Sequence, residues 1–527
     1  MKRDILTLAL LASLTFNFEL STLRAQDTLW VRYDDRFKAN YAIPLIGADS
    51  IEVRPTQLKI FSPEYAQGYR NLTTTSLIPL DEAEMRFSNP GRYLLKPNTY
   101  SGTDYTNANA KSGYNFAHSV ESDHYAVFWD VRYGEDPKRI KHPDNGSIAN
   151  ANDVLAIGEK CWDKYVELGF LKEGESTTDK YKIQLYIPYQ SEWRADASGT
   201  DGVNGGKTGI GHFNPWAATA RGGHTVAHEI GHTFQYLTSA DQGGNGFNYG
   251  YGDNATGDNG WWESCADWQA YKIFPDRQFT DGEYFEQHLA NHHLNMLHED
   301  WRYACCYIQD WWCMKHGQDF IGRMWRESKR PEDPVEAYQR MCGLTQEQFN
   351  DEQMEGYMRM ATWDIDGVRT AAAHRIGSHT SGNYLTRVAG TTDTWQSDAT
   401  RCIQNYGYHI INMNNATAGT VVKAHFKGIA GADGYNSVYP ERAGWRYAFV
   451  AMTNGGERVY GEVGRDKEGT AQLTVPANCQ RIFFVVMGAP TRHWHHPWDR
   501  NHPDPYSQNN EQWPYQVRFE GTNIAGR

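Results

Sequence analysis

Apolar residues recur at helical spacing through His224–Leu237, where Val226, Ala227, Ile230, Phe234 and Leu237 fall on one stripe. A second stripe, Val154, Ile157, Cys161, Tyr165 and Leu168, predicts a helix over about 152–168 that stops at Gly169. Two short apolar runs, Asp123–Trp129 and Tyr181–Ile187, predict buried strands on either side of that helix. Period-two alternation predicts strands at Ser50–Arg54 and Gln57–Phe61. From Glu283 to about Ala361 the pattern is mainly helical. Beyond 370, Tyr408–Met413, Val421–Phe426, Ala448–Met452 and Arg481–Met487 read as strands, spaced as in a β-sandwich. Ala195–Asn214 is rich in Gly, Asp, Thr and Asn, and the Asn, Asp, Gly and Tyr content of Ala240–Gly260 argues against a regular element there.

These elements give an α+β chain of several parts. Residues 1–25 form a leader, 26–115 a β-rich accessory domain, 116–369 a mixed domain, and 370–527 a β-sandwich domain. Thr99–Gly113 reads as a linker between the first two. The leader has a short basic start, Met1-Lys2-Arg3, then an apolar run to Phe18 that is too short to span a bilayer. A small residue, Ala25, precedes the expected cleavage before Gln26. With no cysteine there to carry a lipid, the expectation is a secreted or periplasmic protein with no transmembrane segment.

Composition narrows the function. Of 527 residues, 18 are Trp and 32 Tyr, a content suited to bulky polymers such as glycans. The formal net charge is −13 and no long Lys/Arg run exists, which argues against nucleic acid as a partner. The eight cysteines lie mostly on expected helices among aromatics, as buried thiols do. Cys402 and Cys479 stand apart in the last domain and are a candidate disulfide.

The chemistry concentrates in Gly222–Glu263. His228-Glu229-Ile230-Gly231-His232 is an H-E-x-x-H, and on a helix positions i and i+4 share a face. Both imidazoles can reach one metal ion, with Glu229 beside it as general base. A catalytic zinc takes three protein ligands and keeps one position for water. Glu263 can supply the third, and Asp267, one turn later, can hydrogen-bond the far nitrogen of a ligating His.

This pairing of H-E-x-x-H with a later E-x-x-x-D resembles the gluzincin zinc metallopeptidases, over roughly residues 122–366. The resemblance implies a zincin-like catalytic domain flanked by the two β domains, a Zn2+ cofactor, and a protein or glycoprotein substrate. It implies that an edge strand before the zinc helix pairs with extended substrate. Gly209–Phe213 is the expected strand, with His212 as either a substrate contact or an exposed loop histidine. It further implies that Tyr303, on a helix running from Trp301 to Gly317, steadies the oxyanion. Cys306 departs from the family's Gly there, and Tyr307 is the substitute. Enhancin-type and mucin-targeting peptidases carry a similar motif, which keeps a glycopeptidase open as an alternative. An inactive zincin scaffold that binds glycan or protein is the other. His288, His292, His293 and His298 count as possible ligands but read as packing or surface residues with Glu263 available. His493-Trp494-His495-His496 with His502 reads as a loop in preference to a metal cluster.

Overall fold

The computed structural model describes Tyr105, residues 107–173, 175–176, 181–203, 206–247, 258–280, 282–381, 384–495 and 510–527, with seven short strands between residues 16 and 86. Those strands are β1 (Phe16–Phe18), β2 (Thr28–Tyr33), β3 (Tyr41–Pro44), β4 (Ser50–Arg54), β5 (Gln57–Phe61), β6 (Ser76–Pro79) and β7 (Ala83–Arg86). They form two antiparallel sheets, ordered β1-β4-β5-β6 and β3-β2-β7. Apart from β1, the expected leader lies outside the described residues, as do residues 99–104 of the expected linker. Among the described residues no helix is long and apolar enough to cross a membrane.

The chain divides into two compact units, Met1–Val166 with Leu171–Asp241, and Glu167–Phe170 with Gln242–Arg527. The centre of the first is a mixed sheet. Its strands are β8 (Ser119–Glu121), β9 (Tyr125–Trp129), β12 (Ile183–Ile187), β13 (Ala195–Val203) and β14 (Gly206–Phe213), in the order β13-β14-β12-β9-β8. A small separate pair, β10 (Ile140–Lys141) and β11 (Ile148–Ala149), precedes the first helix. β9, β12 and β14 run parallel, and the outer strands are antiparallel. Every residue of β9 and β12 is buried, which is why both read as unbroken apolar runs. Helix α1 (Ala151–Glu167) connects β11 to β12, and its Tyr165 hydroxyl donates to the Ala227 carbonyl at 2.9 Å. That bond ties α1 to α3 (His224–Asp241), which follows the short α2 (Pro215–Thr219).

The Gly-rich stretch expected to hold one edge strand forms two antiparallel strands, with a register shift between Thr200 and Val203. β14 lies between β13 and β12, so the exposed edge belongs to Ala195–Val203 and not to Gly209–Phe213. Glycine content concealed it. Gly199 and Gly209 are cross-strand partners directly beneath α3. A Cβ on Gly209 would meet Thr233 Cβ at 2.6 Å, and one on Gly199 would meet the Tyr236 ring at 2.0 Å. The missing side chains let the helix rest on sheet backbone. His212 is likewise no exposed loop residue. It is buried on β14, its Nδ1 2.9 Å from Oδ1 of its cross-strand partner Asp196.

The second unit opens with α4 (Asp258–Ile273), α5 (Tyr284–Asn291), α6 (Ile308–His316), α7 (Phe320–Glu327), α8 (Pro334–Cys342) and α9 (Gln346–Met360). Two antiparallel sheets follow. One contains β15 (Leu385–Arg387), β16 (Thr394–Ser397), β18 (Val421–Gly428), β21 (Glu468–Thr474) and β23 (Tyr515–Glu520). The other contains β17 (Tyr408–Met413), β19 (Trp445–Thr453), β20 (Arg458–Tyr460) and β22 (Cys479–Gly488). Inward side chains of both sheets, among them Phe426, Trp445, Phe449, Phe484 and Tyr515, share one core.

Cys402 and Cys479 are free thiols. β22 explains why: an isolated bridge joins Asn405, three residues after Cys402, to Gly488 at one end, whereas Cys479 begins the other end. Nine residue steps of extended strand span roughly 30 Å, far beyond disulfide reach.

Candidate metal centre

α3 starts sharply. Arg221 and Gly222 both take left-handed φ values, 50° and 63°, before the chain turns into His224. Glycine adopts that conformation without strain. Within the helix that follows, His228 and His232 are four residues apart and so emerge on one face. Both are buried, as is Glu229. Their Nε2 atoms are 3.1 Å apart with the rings nearly perpendicular, at 87°.

The donor set suits a metal. His232 Nδ1 is 2.9 Å from Gln235 Oε1, an acceptor, so the proton of a neutral ring sits on Nδ1. Nε2 then presents its lone pair toward His228. Gln235 is a residue the sequence reading missed, though its i+3 position on the ligand helix marks it as a natural partner for that ring.

α4 carries Glu263 and Asp267 one turn apart, and both are buried. Buried His228, His232 and Glu263 could hold a metal ion. Tyr303 keeps company with the two carboxylates but not on a helix. The helix expected from Trp301 begins only at Ile308; Tyr303 lies in the turn after a 3-10 segment, Glu299–Trp301. Its ring stacks on Tyr284 with centroids 5.7 Å apart, and the Arg302 guanidinium lies 4.9 Å from its centre. Burial raises the hydroxyl pKa above the ordinary tyrosine value. The Glu263 and Asp267 carboxylates raise it further, against Arg302. Tyr303 therefore stays protonated and remains a donor at neutral pH.

Tyr307 does not qualify as a substitute. It is a buried core residue whose hydroxyl donates to the Gln278 carbonyl at 2.8 Å, amid Phe279, Phe285 and Trp363. Of the loop 240–260, residues 248–257 lie outside the described residues.

The four histidines between 288 and 298 are packing residues, and none of them is on the surface. His288, His292, His293 and His298 are all buried, and His379 and His409 join them. His288 Nδ1 donates to the Ala304 carbonyl at 3.0 Å and Nε2 accepts from Tyr408, 3.1 Å away. His409 repeats the arrangement with the Arg401 carbonyl and Tyr515 hydroxyl. Each ring is thus neutral. Burial lowers the pKa of His288 to about 3, of His293 to about 4 and of His409 to about 3. Unfolded, each titrates near 6.5, so on acidification the unfolded chain takes up protons first. Stability is complete above about pH 6.5 and falls as pH drops toward 4, by up to ~1.4 kcal/mol per pH unit for each histidine. The thermal midpoint should fall steeply between pH 7 and 5. An unchanged midpoint at pH 5 would contradict this account.

These features define an α+β protein with a helix-borne His–Glu–His set and a candidate metal centre. Residues 87–526 match a family described as a family of unknown function (DUF6055), and the chain belongs to it. No curated protein matches the chain.

Proposed function

We propose that this chain is an exported zinc-dependent peptidase of the gluzincin kind, with His228, His232 and Glu263 as its metal ligands. The observation that carries this reading is the pair of Nε2 atoms 3.1 Å apart on one face of α3, with buried Glu229 next to His228 in the chain. Bound zinc would polarise a scissile carbonyl and lower the pKa of a water to about 7. Glu229 takes the proton of the attacking water and hands it to the leaving amine. Tyr303 donates its hydroxyl to the carbonyl oxygen as charge develops there. Gln235 fixes the tautomer of His232, and Asp267 is assigned the same task for His228. The open edge of β13 offers backbone groups to an extended polypeptide.

Zinc content tests the ligand set. Glu263→Ala, His228→Ala and His232→Ala should each lose about one zinc per chain. Full retention in Glu263→Ala would pass the third-ligand role elsewhere. In parallel, a mixed glycoprotein pool digested with and without chelator should yield fragments only without it.

A second reading, a peptidase of glycosylated proteins, draws on Trp193 and Trp216. These rings flank the base of the β13–β14 hairpin, pack edge to face at 5.2 Å, and are each 45% exposed. Exposed aromatic faces of this kind suit sugar rings. Enzymatic deglycosylation of the pool should suppress cleavage under this reading and leave it intact under the first.

A further inference from the structure

His493 and His495 take no part in the reaction above. Their rings lie 5.9 Å apart, facing the first turn of α8. Asp333 is the N-cap of that helix and Glu336 its third residue, and together they complete a capping box. Asp333 Oδ1 accepts the backbone N–H groups of Val335 and Glu336 at 2.9 and 3.1 Å. Its other oxygen, Oδ2, lies 2.7 Å from His493 Nε2. Glu336 Oε2 lies 2.7 Å from His495 Nε2. Donor atoms of Asp333, His493 and His495 all fall within 4.8 Å of one another.

We propose that Asp333, His493 and His495, with Glu336 as fourth ligand, form a structural zinc site that staples the segment after β22 to α8. The chemistry of the set supports this. Two imidazoles and two carboxylates complete a tetrahedral zinc shell and leave no open position, the hallmark of a structural site. The two carboxylates carry the charge that a divalent cation neutralises.

Orientation supports it as well. The Tyr406 hydroxyl stands 3.2 Å from His493 Nδ1, which turns Nε2 toward Asp333. Tyr406 is itself fixed, its hydroxyl 3.1 Å from Gln346 Nε2. Bonds of 2.0–2.2 Å place tetrahedral donors about 3.4 Å apart. Each 2.7 Å pair therefore opens by less than about 1 Å, the wider pairs among Asp333, His493 and His495, up to 4.8 Å, close by up to about 1.4 Å, and the Glu336 carboxylate, outside that group, swings in to complete the shell. Asp333 keeps its cap throughout, because it uses one oxygen for the helix and the other for the metal.

The test is zinc analysis of the full chain and melting with added zinc. Asn caps a helix as well as Asp, and Gln serves the capping box as Glu does. The Asp333→Asn/Glu336→Gln variant should therefore keep α8 yet hold about one zinc fewer than the parent. His493→Ala/His495→Ala should lose the same equivalent. In a His228→Ala background, added zinc should raise the melting midpoint of the apo protein. With Asp333→Asn/Glu336→Gln added, that rise should vanish. If His228→Ala costs no zinc, only the peptidase centre fails; this site is judged by its own variants. Unchanged zinc content in Asp333→Asn/Glu336→Gln, or an equal zinc-induced rise with and without those changes, would overturn the proposal. The four residues would then be two imidazole–carboxylate pairs and nothing more.

Discussion

Glu229→Gln is expected to fold, keep its zinc and lose nearly all hydrolysis, by roughly 10²–10⁴-fold. Glutamine matches the shape of the buried carboxylate and still forms hydrogen bonds, so packing on α3 is undisturbed. What it lacks is the capacity to accept a proton from water. Neither imidazole is altered, and the 3.1 Å approach of their Nε2 atoms should persist. Zinc content and turnover must be measured on one sample, because loss of metal would mimic loss of a base. Undiminished turnover would sink the hydrolytic mechanism and bring the inactive binding scaffold forward.

Tyr303→Phe is expected to retain zinc and bind substrate while its kcat falls by about 10²–10³-fold, the effect of removing one oxyanion donor, near 3 kcal/mol. The phenol is well suited to the task. Burial and the Glu263 and Asp267 carboxylates hold its proton on, and the stacked Tyr284 and the Arg302 guanidinium fix the ring. Phenylalanine keeps both ring contacts, so a drop in rate with KM nearly constant isolates the hydroxyl. Normal turnover in this variant would remove Tyr303 from the mechanism without touching Glu229. Tyr307 could not replace it, since its hydroxyl is committed to Gln278.

The parts of the fold legible in the sequence are those where apolar residues recur regularly or run together. α1, α3, β4, β5 and β17 lie within a few residues of the spans that their sequence patterns predict. The β13–β14 hairpin was hidden because its inner positions are glycines, chosen for a close helix and not for hydrophobicity. The helix expected at 301 begins seven residues late. Trp301, Ala304 and Cys305 form a small buried cluster of their own around an irregular turn, and aromatic content alone cannot distinguish that from a helix. At the candidate site, the His and Glu residues were legible through their spacing. Gln235 was not, because its role depends on which nitrogen of His232 faces inward. Asp333 and Glu336 lie about 160 residues from the histidines they meet, a distance no local pattern bridges.

The Gly199–Gly209 pair has a consequence for how this protein tolerates change. Because α3 touches the sheet through absent side chains, the separation of helix and sheet is set by bare backbone. Thr233, which would collide with any methyl at position 209, is the immediate neighbour of His232. A survey of permitted substitutions should find these two residues, which carry no functional group, among the least forgiving in the first unit. An engineer wishing to alter the bite of the two imidazoles would begin at position 209, leaving every ligand as it stands.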